Sequence, residues 1–206
     1  MFVRSTTVQA HPNSIDVGVK YVNHELMPTL ESMDGFIGLS MLVDRQTRRC
    51  IVSSAWADHD AMRSSDERLQ PMRNQLAESL GGRPQVDEWE VAAMHREHEA
   101  PAGACVRATW CRVSPDQLDR AVDIYRMASL PALSALEGFC SASLFVDRTE
   151  GLFVASTTYD TVAAMESTRG DAGTIREAGT ADAGAEVLDV CEFDLVVAHL
   201  RVPELA

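Results

Sequence analysis

The chain has 206 residues, 46% of them hydrophobic, which is enough for one large core or two small ones, and its formal charge is −13. That charge excludes a nucleic-acid partner and an anionic membrane surface, because both need a basic face. No apolar run approaches the length of a membrane span and no basic-then-apolar leader opens the chain, so the expected location is the cytoplasm.

Residues 3–10 are rich in Val and Thr and read as a strand. A helix follows, with Ile15, Val19, Val22, Leu26, Leu30 and Met33 spaced by three and four. Pro28 falls inside that pattern and is expected to kink the helix or end it early, since proline lacks the N–H and clashes with the preceding turn. Gly35-Phe36 opens a second strand with Ile37, Leu39, Met41 and Val43 on one face. "DRQTRR" makes a hairpin turn, "CIVSSAW" a third strand, and Asp58 caps a second helix that runs to about Leu80 and stops at Gly81-Gly82. A last strand covers roughly residues 86–95.

The same order then recurs. "GFIGLSMLVDR" from Gly35 matches "GFCSASLFVDR" from Gly138, a shift of 103, and the shift holds without a gap for about two-thirds of a repeat. In the second copy Ser114, Pro115 and Gln117 form a capping-box pattern, Pro131 stands where Pro28 does, and Thr161 stands where Asp58 does. The glycine-rich "RGDAGTIREAGTADAGAE" predicts a shorter or broken second helix. The predicted organisation is a first ferredoxin-like repeat over 1–96, a connector over 97–105 and a second repeat over 106–206. Each repeat is β-α-β-β-α-β, a four-stranded sheet with helices on one face only. The other face needs a cover, so the expected fold is α+β, with two ferredoxin-like (βαββαβ) repeats forming an intramolecular pseudo-dimeric α+β barrel.

Two segments carry a family likeness: "MDGFIGLSMLVDR" with "SSAWADHDAM", and "LEGFCSASLFVDR" with "STTYDTVAAM". Together they resemble the antibiotic biosynthesis monooxygenase-like family of the dimeric α+β barrel superfamily, once in each half. The resemblance implies a pocket between sheet and helices that takes a small aromatic molecule. It implies chemistry with no cofactor and no metal, in which the substrate's own carbanion meets oxygen. The haem-degrading branch carries an Asn on strand one and a His with helix two. Here strand one offers Ser5, Thr6 and Thr7 and helix two has no interior histidine, so haem is not expected. The function expected is a cofactor-independent monooxygenase of a small aromatic or polyketide-like metabolite. The alternative is a non-catalytic small-molecule binding protein or scaffold of the same fold.

The candidate catalytic residues are His24, a base suited to neutral pH, and Tyr21, three residues earlier on the same helix side. Candidate substrate-binding residues are Trp56, at the end of strand three where relatives of the family often have Trp, Thr6 on strand one, and Ser40, a small residue at the centre of strand two. As plain structure, Trp56 would be core and His24 a solvent-facing helix residue. Arg4 and Arg107 repeat on the first strands, to anchor an acidic substrate or to form surface ion pairs. His95 and His199 occupy equivalent ends of the last strands, and two histidines are too few for a metal site. Five cysteines with no CxxC read as reduced, mostly buried thiols. The first half holds Tyr21, His24 and Trp56 where the second has Ile124, Met127 and Tyr159, so the ligand cavity is expected in the first half. The expected partner is a small apolar or aromatic ligand; a homodimer beyond the internal pseudo-dimer is left open.

Overall fold

A computed structural model describes residues 1–200; residues 201–206, the end of the expected second repeat, lie outside the described residues. The first repeat consists of β1 (Phe2–Gln9), α1 (Ile15–Tyr21), α2 (Met27–Glu31), β2 (Phe36–Asp44), β3 (Arg49–Trp56), α3 (His59–Ser64), α4 (Asp66–Leu80) and β4 (Gln85–Arg96). The second repeats it as β5 (Cys105–Arg112), α5 (Leu118–Ile124), α6 (Leu130–Ser134), β6 (Phe139–Asp147), β7 (Leu152–Tyr159), α7 (Val162–Ser167), α8 (Arg169–Ala183) and β8 (Glu186–Leu200). The strand order is β1-β3-β2-β8-β5-β7-β6-β4, the closed order of an α+β barrel.

The chain divides into two compact units, Met1–Trp89 with the end of β8 from Asp194, and Glu90–Phe193. In the first, β3 lies between β1 and β2, and the outer edge of β2 pairs antiparallel with β8, Gly38 opposite Leu200 through Val43 opposite Asp194. In the second, β7 lies between β5 and β6, and β6 pairs with the end of β4, Ser141 opposite Arg96 through Val146 opposite Glu90. Each unit is thus a four-stranded sheet finished by the last strand of the other repeat. Bulges fall at matching places, between Phe36 and Gly38 and between Phe139 and Ser141. They explain why only Leu39, Met41 and Val43 of the expected face are fully buried, with Ile37 left partly exposed.

The two prolines neither end nor sharply break their helices. A π-turn precedes each, Val22–Leu26 before Pro28 and Tyr125–Ser129 before Pro131. The Met27 N–H bonds back to the Val22 carbonyl and the Leu130 N–H to the Tyr125 carbonyl, five residues away in each case. The wider turn makes room for the proline ring and absorbs the missing donor. The N-cap expectations hold in part. Asp58 Oδ1 accepts from the Ala61 N–H at 2.8 Å, and Thr161 Oγ1 from the Ala164 N–H at 3.1 Å. Ser114 makes no side-chain cap, because a 3-10 turn over Pro115–Gln117 lets its own backbone carbonyl take the Gln117 N–H at 2.8 Å.

The glycine-rich second helix corrects the sequence reading. α8 is 15 residues long, as is α4, and both end on a left-handed glycine, Gly184 and Gly81. Ala172 and Ala183 are buried, and that is enough to hold the helix against the sheet.

Gly35 and Gly138 sit at φ +77° and +70°, where a Cβ would come within 2.5 Å of the Ala61 and Ala164 methyls. Both strain and clash oppose any side chain there. Gly35→Ala and Gly138→Ala should each lower stability by about 1–3 kcal/mol, read as an earlier midpoint in urea unfolding. An unchanged midpoint in either variant would contradict the close approach of helix and turn.

Candidate functional site

In each unit the first strand carries an arginine that is buried, not at the surface where the ion-pair reading had put it. Arg4 is 4% and Arg107 7% exposed. Burying a guanidinium costs free energy unless its donors are matched, and here they are. Arg4 Nε and Nη2 donate to Glu88 Oε1 at 2.9 and 2.6 Å, and Nη1 donates to the Met62 carbonyl at 3.1 Å. Arg107 Nε donates to Glu192 Oε1 at 3.0 Å, Nη2 to the Met165 carbonyl at 2.8 Å, and Nη1 approaches the Tyr159 hydroxyl at 3.5 Å. The Arg107 guanidinium also lies 5.5 Å from the centre of the Tyr159 ring. Each arginine ties strand to helix and to the last strand of its own repeat.

Beside each arginine is a pocket between helices and sheet, lined by corresponding residues. The two differ in size. The pocket of the first half, with Arg4, Thr6, Ser54 and Arg73 in its lining, encloses about 320 Å³ of empty space, counting its open mouth. The pocket of the second half, with Arg107, Thr109, Thr157 and Arg176, encloses about 660 Å³ counted the same way. The cause is a set of truncations read by pairing positions 103 apart. Leu26, Leu69, Leu76 and Leu80 are buried in the first half, and the second half has Ser129, Ala172, Gly179 and Ala183 in their places. All four of these smaller residues line the larger pocket. A Cβ on Gly179 would meet Ser129 Oγ at 2.6 Å, so the glycine also lets α8 approach the neighbouring π-turn closely.

The lining of the larger pocket combines apolar side chains, among them Ile124, Leu133, Phe153 and Ile175, with the polar ones of Arg107, Arg176, Tyr159, Thr109 and Thr157. Among the described residues, no histidine or carboxylate lines it. Its weak acids are held protonated. Burial raises the Tyr159 phenol and outweighs the Arg107 charge, burial pushes the Tyr125 phenol up, and burial takes the Cys111 thiol up to about 11.

The residues singled out in the sequence are dispersed. Thr6 is buried and lines the smaller pocket. Tyr21 is half-buried, with its hydroxyl 3.4 Å from Gln75 Oε1; His24 is exposed on the π-turn; Ser40 is half-buried on β2. Trp56 is fully buried, and its indole Nε1 donates to Ser54 Oγ at 3.0 Å. Neither pocket is lined by Tyr21, His24, Ser40 or Trp56. The larger pocket lies in the second half, whereas the histidine-rich first half was expected to hold it. His95 stacks on Phe139 and meets Glu97 at 2.9 Å; His199 stacks on Phe36 and meets Glu31 at 3.4 Å.

Among the described residues, His98, Cys140 and Asp160 bring three metal-ligating atoms within 4.8 Å of one another. Hydrogen bonds already join them: His98 Nε2 lies 2.6 Å from Asp160 Oδ1, and the Cys140 thiol donates to the His98 carbonyl at 3.3 Å. Burial first, then the Asp160 charge, raises the Cys140 thiol, which opposes the thiolate a metal needs.

The strand order and the doubled βαββαβ unit define the fold, a ferredoxin-like α+β barrel, and solved structures share it. A candidate monooxygenase of Lactobacillus acidophilus NCFM superposes with a TM-score of 0.72 over 97% of this chain and 96% of its own, at 8% identity. An anthrone oxidase-like protein superposes with a TM-score of 0.70 over 100% and 95%, at 12% identity. The chain is 51% identical over 205 residues to the uncharacterized protein Rv2557 of Mycobacterium tuberculosis, covering 100% of this chain and 92% of that protein, and it belongs to the family of that protein. No protein-family model matches it.

Glu192 accepts from both Arg107 and Arg169. Burial raises its carboxyl, but the bonds from Arg169 and Arg107 outweigh burial and hold it below the ordinary value of 4.5. A depressed folded pKa stabilises the fold above the unfolded value and loses that contribution as pH falls through the folded one. Urea midpoints from about pH 5 down to pH 3 should therefore drop more steeply for the wild type than for Glu192→Gln. Parallel curves would show that the carboxylate is not paired in solution.

Proposed function

We propose that the chain binds a small aromatic molecule in the pocket under α8 and oxygenates it as a cofactor-independent monooxygenase. The observation that carries the reading is a lining that joins apolar side chains to the donors of Arg107, Tyr159 and Arg176. An electron-rich phenol or anthrone-type ring fits the apolar side chains, and its oxygen meets the donors. Positive charge placed where an oxyanion develops favours the deprotonated substrate, which is the form that reacts with oxygen. A ring CH₂ then becomes C=O and the second oxygen atom leaves in water, so atoms and electrons balance with O₂ alone. The proton leaves to solvent, since no histidine or carboxylate among the described residues lines the pocket. That same lack favours one second reading, a binding protein that holds the ligand without turning it over.

Oxygen uptake with an anthrone-type phenol tests both readings. Catalysis should give a pH–rate profile that follows the substrate's own acidity, because no histidine or carboxylate among the described residues lines the pocket. Ala172→Leu restores the bulk found at Leu69 and should remove turnover from a folded protein, while His24→Ala should leave it intact. Loss of turnover in His24→Ala alone would move the chemistry to the first half. Binding without oxygen uptake would leave the second reading standing.

A further inference from the structure

The two pockets are built from matching positions, yet their charges differ. Around the smaller one, Arg4 and Arg73 face Asp66 and Glu88. Asp66 Oδ1 pairs with Arg73 and lies 3.4 Å from Arg4 Nη1, and Glu88 takes the rest of Arg4. Two guanidiniums meet two carboxylates. At the position of Asp66 the second half has Arg169. Arg169 turns to Glu192 at 2.8 Å, where Arg107 is already bound at 2.9 Å. Arg107 and Arg169 thus share one carboxylate, and Arg176, at the position of Arg73, is left over. Among the described residues, the Arg176 guanidinium has neither an ion pair nor a hydrogen bond, and it lines the larger pocket half-buried.

We infer that this pocket selects an organic anion, whose aromatic or aliphatic body fills the space vacated by the leucines and whose carboxylate pairs with Arg176. The inference rests on the pocket assignment above and adds the ligand's charge. Three features support it. The carboxylate that neutralises the corresponding Arg73 has been replaced by a positive residue, so the site gains charge at the place where space also opens. The chain as a whole carries −13, with 31 acidic side chains, so an uncompensated cation in a cleft runs against its composition. A guanidinium offers a planar fork that matches two carboxylate oxygens, a better fit than the single oxygen of a phenolate. The hydroxyls of Thr109, Thr157 and Tyr159 remain for a second polar group on the ligand.

Two probes of one shape separate charge from fit: 2-naphthoate and 2-naphthol, titrated by calorimetry at neutral pH and low salt. Wild type should bind naphthoate about tenfold or more tightly than naphthol. Arg176→Gln should remove that preference by weakening naphthoate about tenfold, with a smaller loss for naphthol. Arg169→Asp, which recreates the charge pattern of the first half, should do the same, with near-ultraviolet circular dichroism confirming its fold. Ala172→Leu should weaken both probes together. Equal affinities for the two probes in wild type, or a preference that survives in Arg176→Gln, would overturn the anion inference while the pocket assignment stands. Binding that Ala172→Leu leaves unchanged, or binding of neither probe, would overturn the pocket assignment as well.

Discussion

The outer edge of β2, and likewise of β6, is the constraint from which the fold follows. Each is the outermost strand of its own repeat's hairpin and would leave a row of backbone donors and acceptors unpaired. The end of β8 supplies the partner for β2, and the end of β4 supplies it for β6. A repeat on its own therefore lacks a strand that only the other repeat can give. Duplication inside one chain provides it at fixed stoichiometry and without the entropy cost of association between separate chains.

Covalent linkage of the two halves also frees them to diverge. In an assembly of identical chains, any change that opens one pocket opens every pocket and weakens each core. Here the first half keeps Leu26, Leu69, Leu76 and Leu80, with Trp56 fully buried, and it serves as the tightly packed part. The second half has lost the bulk at all four leucine positions. A leucine-to-alanine change in a packed core costs about 2–5 kcal/mol where the surroundings do not collapse. α8 tolerates this series of losses while Arg107 holds strand, helix and Glu192 together.

The buried arginines join strand, helix and last strand with the donors of one guanidinium each. Arg4 and Arg107 satisfy the helix carbonyls of Met62 and Met165, which lie at the ends of short helices where carbonyls lack partners. In the second half that anchoring places a guanidinium and the Tyr159 phenol beside open space. Positive charge in a cleft of an acidic protein is a local feature, and it is independent of the net charge of the whole chain.

By itself, the sequence determined the repeat, the order of strands and helices, the caps at Asp58 and Thr161, and the α+β barrel class. These depend on periodicity, turn residues and local hydrogen bonding, all of which are written along the chain. It did not place the larger pocket. His24 and Tyr21 attracted notice for their chemistry, but the helix turns His24 to solvent. The glycines of α8 resembled a weak helix, because propensity is local and the strand beneath is not. Setting Leu76 against Gly179 and Asp66 against Arg169 was open to a reader of the sequence alone. That these positions share one pocket with Arg107 was not, since side chains on separate strands and helices meet only through packing. The tertiary structure decided which half is hollow and which arginine is left unpaired, because volume and charge balance are sums over neighbours that lie far apart in the chain.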